Sequence, residues 1–406
     1  MADSSAAAES SNADCQCCVV GGGPAGVVLS YLLARKGVAV TLLEAHQDFD
    51  RDFRGDTLHP STMELMDELG LADELLKLHH AKLRTVRMQT PAEKITFADF
   101  SHIKTRFPYI VLMPQSVFLD FLVKRAQEFP NFTLKLGANA QELIEENGRT
   151  VGVKYRTTDE TRECRTPLVV ACDGRFSKLR KLAGLEPVKA APPMDVLWFR
   201  LPHNPNDDID VTFRINRGHM LVVLDRGDHW QFGYLILKGE FHEVREEGLD
   251  KFRAAVAELA PEMADRVDNI TDWKQITPLN VEASRLTTWH RPGLLLIGDA
   301  AHVMSPVGGV GINYAIQDAV EAANVLAEPL KAGSVTEADL AVVQKKREFP
   351  TKVIQWFQEL IQKRIVKSSL NENQTFRPPW FLTLPVIRSL PAKLIAFGIS
   401  RSRLRE

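Results

Sequence analysis

"CCVVGGGPAGVVLSYLLARKGVAVTLLEAH", residues 17–46, reads as strand, turn, helix and strand in one short passage. The apolar run 17–20 suits a strand buried on both faces. Gly21, Gly23 and Gly26 set G-x-G-x-x-G where that strand passes into a helix, with Pro24 and Ala25 in the helix's first turn. Leu29, Leu32 and Leu33 then keep helical spacing toward a sheet. Gly37 stands at the C-cap position, and residues 38–43 form the next strand, ended by Glu44 and Ala45. Glycines here let backbone amides and a helix N-terminus approach a pyrophosphate, and an acid at the end of the second strand takes a ribose hydroxyl pair. A lone G-x-G-x-x-G is weak, but in this setting it points to a dinucleotide. The motif leaves FAD and NAD both open, while a carboxylate at Glu44 would repel the 2′-phosphate of NADP.

Two later stretches repeat the plan. "TPLVVACDGRFSKLRKLAG", residues 166–184, is an apolar strand running into Asp173 and Gly174. "GLLLIGDAAHVMSPVGGVGINYA", residues 293–315, places Asp299 at a strand end, then Pro306, Gly308, Gly309 and Gly311 before a helix that opens with Ile312 and Asn313. A glycine loop that starts a helix offers free amides and a positive dipole end to an anionic group. Three strand ends bearing glycine and acid belong to one doubly wound α/β sheet and converge on one crevice. A single extended ligand such as FAD needs all three.

This ordered set of motifs resembles the p-hydroxybenzoate hydroxylase family of FAD-dependent monooxygenases, over roughly residues 15–365. The resemblance implies a Rossmann-type, GR2-like FAD-binding sheet with an inserted antiparallel β-sheet domain for substrate. It puts Gly21, Gly23, Gly26 and Glu44 at the adenosine end of FAD, and Asp173 and Gly174 in the central D-G motif. Asp299 falls at the ribose and ribityl region, and Pro306, Gly308, Gly311, Ile312 and Asn313 fall along the pyrimidine side of the flavin. Arg54 and Gln115 match flavin-contacting positions. Many members carry Gln where this chain has Val310. The implied activity is NAD(P)H-consuming hydroxylation of an aromatic, phenolic or quinone-type ring, with molecular oxygen activated at flavin C4a. A reductase or dehydrogenase of a polyprenyl or quinone substrate, and a flavin-binding interaction protein without turnover, are the alternatives. A halogenase is disfavoured because the paired-tryptophan motif of those enzymes is missing around Trp198 and Trp289.

The remaining chain bounds these readings. Its 406 residues allow two or three domains, and a formal net charge of -2 disfavours nucleic acid as a partner. Five cysteines, odd in number and unevenly spaced, suggest no disulfide framework and a reducing, cytoplasmic setting. Cys15, Cys17 and Cys18 lack a matching pair at zinc spacing and read as core residues, as do Cys164 and Cys172; no metal is expected. Residues 1–12 read as a frayed polar tail, and no run is apolar and long enough to span a bilayer. FAD binding is expected over 13–80, 100–186 and 277–366, and a substrate-binding sheet over 81–99 and 187–276. Alternation puts Trp230, Phe232 and Tyr234 on one face of a strand and Gln231, Gly233 and Leu235 on the other, without showing which lines a pocket. His219, Asp225 and His229 could deprotonate a phenol or sit at turns and rims, so no catalytic base is assigned. His302 reads as a packed histidine beside a turn. A helical run is expected from Pro350 to Lys367. The proline-broken arm 367–406 fits either a peripheral membrane contact, also suited to a lipophilic substrate, or a segment packed across the protein.

Overall fold

The computed structural model describes residues 14–50, 57–204, 206–207, 212–216, 218–366, 369–370 and 385–405. The polar tail and Arg54 lie outside them, as do Trp380, Phe381 and Leu384 of the arm.

The strand Cys17–Val20 sits inside a six-stranded sheet, between Val40–Leu43 on one side and Val169–Ala171 on the other. Val169–Ala171 pairs in turn with Leu294–Leu296, and Phe132–Lys135 pairs with Val40–Leu43. All of these pairs are parallel, and only the edge strand His290–Arg291 runs antiparallel. Register aligns Val20, Ala171 and Leu296 across the sheet. Gly21, Cys172 and Ile297 therefore leave it in line, and the three glycine–acid turns start side by side. With strands about 4.8 Å apart, the three exits span only ~10 Å.

Apolar side chains on both faces dictate what covers the sheet. Helices Pro24–Arg35, Gln115–Ala126 and Gly311–Lys331 pack on one face through Val28, Leu32, Leu122, Ala319 and Ala323. The other face is covered by the antiparallel strands Asn139–Glu146, Arg149–Arg156 and Thr161–Arg165. Cys17 and Cys18 are core residues of the first strand, and Cys15 Sγ lies 3.7 Å from Cys164 Sγ in the covering layer.

A second, seven-stranded sheet draws strands from Thr85–Gln89, Lys94–Asp99, Met194–Pro202, Phe213–Asn216, His219–Asp225, His229–Leu237 and Thr277–Leu279. Its outer face packs on helix Leu249–Leu259, where Trp230, Phe232 and Tyr234 join Phe199 and Phe252. Phe199 and Phe232 stack with ring centroids 5.3 Å apart. The aromatic stripe is thus core, and the face bearing Gln231 and Leu235 is turned inward.

The long helix near the C-terminus differs from its expected start. It runs Glu337–Ile361, passing through Pro350 rather than beginning there. A reciprocal cap between Thr336 and Asp339 starts it upstream, and a turn of π-helix, Gln362–Val366, follows. Beyond it, helix Pro385–Phe397 buries Ala392, Ile395, Ala396 and Phe397 against Val86, Ala98, Phe100, Ile110 and Leu112. The His59 imidazole donates from Nδ1 to the Ile395 carbonyl at 2.7 Å, and burial pushes its pKa down to about 4. Lys36, Glu64, Glu68 and Asn324 hold residues 401–405 in turn. The described part of the arm is therefore packed across the protein. Truncation before Asn371 is expected to lower the melting temperature by several degrees without changing sedimentation with anionic liposomes. Equal stability together with loss of liposome binding would reverse that assignment.

Candidate active site

A cavity of about 760 Å³ opens where the three turns leave the sheet. It runs from Glu44, Ala45 and His46, past residues 21–25, to Asp173, Gly174 and Asp299. It continues along Pro306, residues 308–312 and Gln115, and ends against the inward face of the antiparallel sheet.

The backbone explains the glycines. Gly21 has φ +106, and an added Cβ would stand 2.4 Å from the Cys172 carbonyl oxygen of the neighbouring turn. Gly23, by contrast, has nothing within 4 Å of an added Cβ and faces open cavity. Helices Pro24–Arg35 and Gly311–Lys331 both begin at the cavity without a side-chain cap, so their first-turn amides are available to a ligand. Gly308 and Gly309, at φ +81 and +60, turn the chain into the second of these helices.

Carboxylates brace the turns. Glu44 accepts from the Gly22 amide at 2.7 Å and from the His46 amide at 2.8 Å, tying the first turn to the end of the second strand. Asp173 accepts from Ser177 Oγ at 2.5 Å and from the Leu179 amide at 3.0 Å, while burial raises its pKa. Asp299 lines the cavity midway along it.

Two expected cofactor residues lie behind the lining. Gly26 packs under the first turn, where an added Cβ would meet the Gly21 carbonyl oxygen at 1.9 Å. Asn313 spends its amide on the protein: Oδ1 accepts from the His59 amide at 2.8 Å and Thr62 Oγ1 at 2.7 Å, and Nδ2 donates to the Thr57 carbonyl at 3.1 Å. Both shape the loops that reach the cavity. His219, Asp225 and His229 do not line it; His219 bonds the Tyr234 hydroxyl at 2.6 Å on the other face of the sheet.

Several supporting residues had no local signature. Arg180 donates to the Ala300 carbonyl at 2.9 Å and the Arg175 carbonyl at 2.6 Å, locking the second turn to the third. Gln358 donates to the carbonyls of Ser305 and Val307 at 2.8 and 2.7 Å, fixing the loop before Gly308. His302 is packed as expected, tilted against Trp289 with ring centroids 5.0 Å apart, but it also donates to Asp318 at 2.6 Å. Arg347 donates to the other oxygen of Asp318 at 2.8 Å, and all three side chains are buried. Burial alone would raise the Asp318 pKa; the neighbouring His302 and Arg347 outweigh it and hold the carboxyl below its usual range. Each partner comes from a different segment of the chain, so no single stretch of sequence carried the signal.

A cavity joining three glycine–acid turns to an apolar sheet defines a flavin-dependent oxidoreductase. The chain belongs to the family described as FAD binding domain, whose model matches residues 14–356. It is 32% identical over 394 residues to 6-methylpretetramide 4-monooxygenase of Streptomyces rimosus, covering 96% of this chain and 94% of that one. It is 25% identical to para-nitrophenol 4-monooxygenase of Pseudomonas sp. (strain WBC-3), with 79% of each chain covered. Among solved structures, PqsL of P. aeruginosa shares the fold with a TM-score of 0.75 at 18% identity, covering 88% of this chain and 97% of that chain. The protein is an FAD-dependent monooxygenase of the aromatic-ring hydroxylase type. No helix of the described residues is long and apolar enough to cross a membrane.

Proposed function

We propose that this chain holds FAD along the crevice described above, takes electrons from NAD(P)H, and hydroxylates a multi-ring phenolic compound with molecular oxygen. The observation that carries the reading is the continuity of one cavity, from the Glu44 end through the three turns to the apolar sheet wall. The named relative acting on 6-methylpretetramide supports a multi-ring substrate.

The residues fit the cofactor in order. Glu44 and Ala45 would hold the adenosine ribose, residues 21–25 and the start of helix Pro24–Arg35 the pyrophosphate, and Asp299 the ribityl chain. The start of helix Gly311–Lys331 would set a positive dipole end against the pyrimidine edge, where negative charge grows on reduction. When bound, FAD supplies the electrons that activate dioxygen. The protein's share is to fix the flavin plane through residues 306–312 and Gln115. Met194, Val196, Met220 and Leu235, which line the sheet side of the cavity, keep water away.

Asp299→Ala is expected to weaken FAD binding by about 1.5–3 kcal/mol, the range for a hydrogen bond to a charged group. The activity itself is tested with ¹⁸O₂: a suitable phenol should speed flavin reduction by NAD(P)H and gain one labelled oxygen. Product labelled only from water would move the function to a reductase or dehydrogenase. Absence of flavin reduction by either nicotinamide cofactor would leave a binding protein.

A further inference from the structure

The inward face of the antiparallel sheet specifies the shape of what lies on it. Every second residue of neighbouring strands faces the cavity. Pairing places Trp198, Gly233 and Val222 in one row, and Val196, Leu235 and Met220 in the next. On the other side, Gln231 and Leu224 form a third row. Rows are about 6.5 Å apart and strands about 4.8 Å apart, so the three rows make a floor of roughly 13 by 10 Å.

Gly233 stands at the middle of this floor. Its φ is not in the left-handed region, so backbone freedom does not require glycine here. Space does: an added Cβ would stand 3.0 Å from Cζ3 and 3.1 Å from Cη2 of Trp198. The benzene edge of the indole therefore lies across the neighbouring strand at Gly233, while Trp198 remains partly exposed and lines the cavity. A side chain at position 233 would push the indole into the space a ligand needs.

One row away the floor changes character. Gln231 is buried, its Oε1 accepts from Arg226 Nε at 2.7 Å, and both residues line the cavity with Thr212. Arg200 pairs with Gln231 at the exposed end of that row, and the rest of the three rows is apolar. Met88 and Met220 flank the indole row with side chains that adapt to irregular shapes.

We infer that this wall seats a flat, fused multi-ring phenol or enol. One ring stacks on Trp198 above Gly233, and an acidic oxygen one ring away turns to Gln231, Arg226 and Thr212. The inference rests on the monooxygenase reading and adds to it the residues that seat the rings and the direction in which the acidic oxygen points. An ionised oxygen beside a guanidinium also leaves the ring electron-rich, which an electrophilic oxygen donor requires.

The test uses the FAD-loaded enzyme with two probes, anhydrotetracycline and p-nitrophenol, whose binding is followed by perturbation of the flavin spectrum. Trp198→Leu should raise the Kd for anhydrotetracycline at least tenfold and that for p-nitrophenol less than threefold. Trp198→Phe should recover most of the loss, and Gly233→Ala should weaken the multi-ring probe selectively. Arg226→Gln should weaken anhydrotetracycline more above the pKa of its acidic oxygens than below it. Equal effects on both probes, or none, would overturn the seat. So would a wild-type enzyme that binds p-nitrophenol but not anhydrotetracycline; turnover of p-nitrophenol with ¹⁸O₂ would then leave the monooxygenase reading standing.

Discussion

Gly26→Ala is expected to yield a protein that no longer retains FAD through purification and is destabilised by about 1–3 kcal/mol, the usual cost of overpacking a tight site. The new Cβ would sit 1.9 Å from the Gly21 carbonyl oxygen. That carbonyl cannot turn away easily, because the other side of its peptide group, the Gly22 amide, is bonded to the Glu44 carboxylate at 2.7 Å. The helix must therefore move off the sheet, carrying its first-turn amides out of the crevice. Gly23→Ala provides the contrast. Its backbone, at φ -76 and ψ -178, suits alanine, and the added Cβ meets no protein atom within 4 Å. The apoprotein should melt as wild type does, yet FAD affinity should fall roughly tenfold because the methyl group occupies ligand space. Calorimetry of both apoproteins beside FAD titration checks the pair. Matching losses of stability would show that the first turn is not shaped as described.

Arg347→Met is expected to cost about 3–5 kcal/mol, the price of leaving a buried charge without its partner. Asp318 would keep its carboxylate in the core with only His302 and the Gly298 amide, 3.0 Å away, to hold it. Gly298 precedes Asp299, so the third turn should loosen and FAD affinity should fall as well. Arg347 also lies over the Tyr314 ring, 5.4 Å from its centroid, and methionine keeps part of that packing. The pH dependence has a definite sign. A carboxyl whose folded pKa is held low contributes stability that is fully present above its unfolded pKa, about 3.9, and is lost as pH falls through the folded value. Asp318→Asn should remove that acid-labile component, so the gap in melting temperature between wild type and variant should narrow below about pH 4. A gap constant from pH 7 to 3 would place the charge elsewhere.

How far the sequence led depends on whether a signal was local. The strand–turn–helix of residues 17–35 was legible because glycine spacing, Pro24 and the leucine period all fall in one window. The third motif was legible for the same reason, down to the helix that follows Gly309. Alternation in His229–Leu237 separated the two faces, but only packing of Trp230, Phe232 and Tyr234 on Phe252 decided which one turned outward. Pro350 misleads because proline suits the first turn of a helix, whereas the Thr336 cap lies fourteen residues upstream. The Asp318 cluster was invisible for a plainer reason. His302, Asp318 and Arg347 meet only after three segments have folded together.

The alignment of three strand ends also governs how the chain must be made. Val40–Leu43 emerges from the ribosome soon after Cys17–Val20 and can pair with it at once. The other edge of that strand waits for Val169–Ala171, about 150 residues later. At 5–20 residues per second this is roughly 7–30 s during which an apolar, unpaired edge is exposed. The last parallel neighbour, Leu294–Leu296, arrives later still. The crevice therefore cannot gather its ligand until that strand and the turn after it have been made. Slower translation lengthens the exposure, so a partner that shields the waiting strand edge would raise yield more than added flavin would.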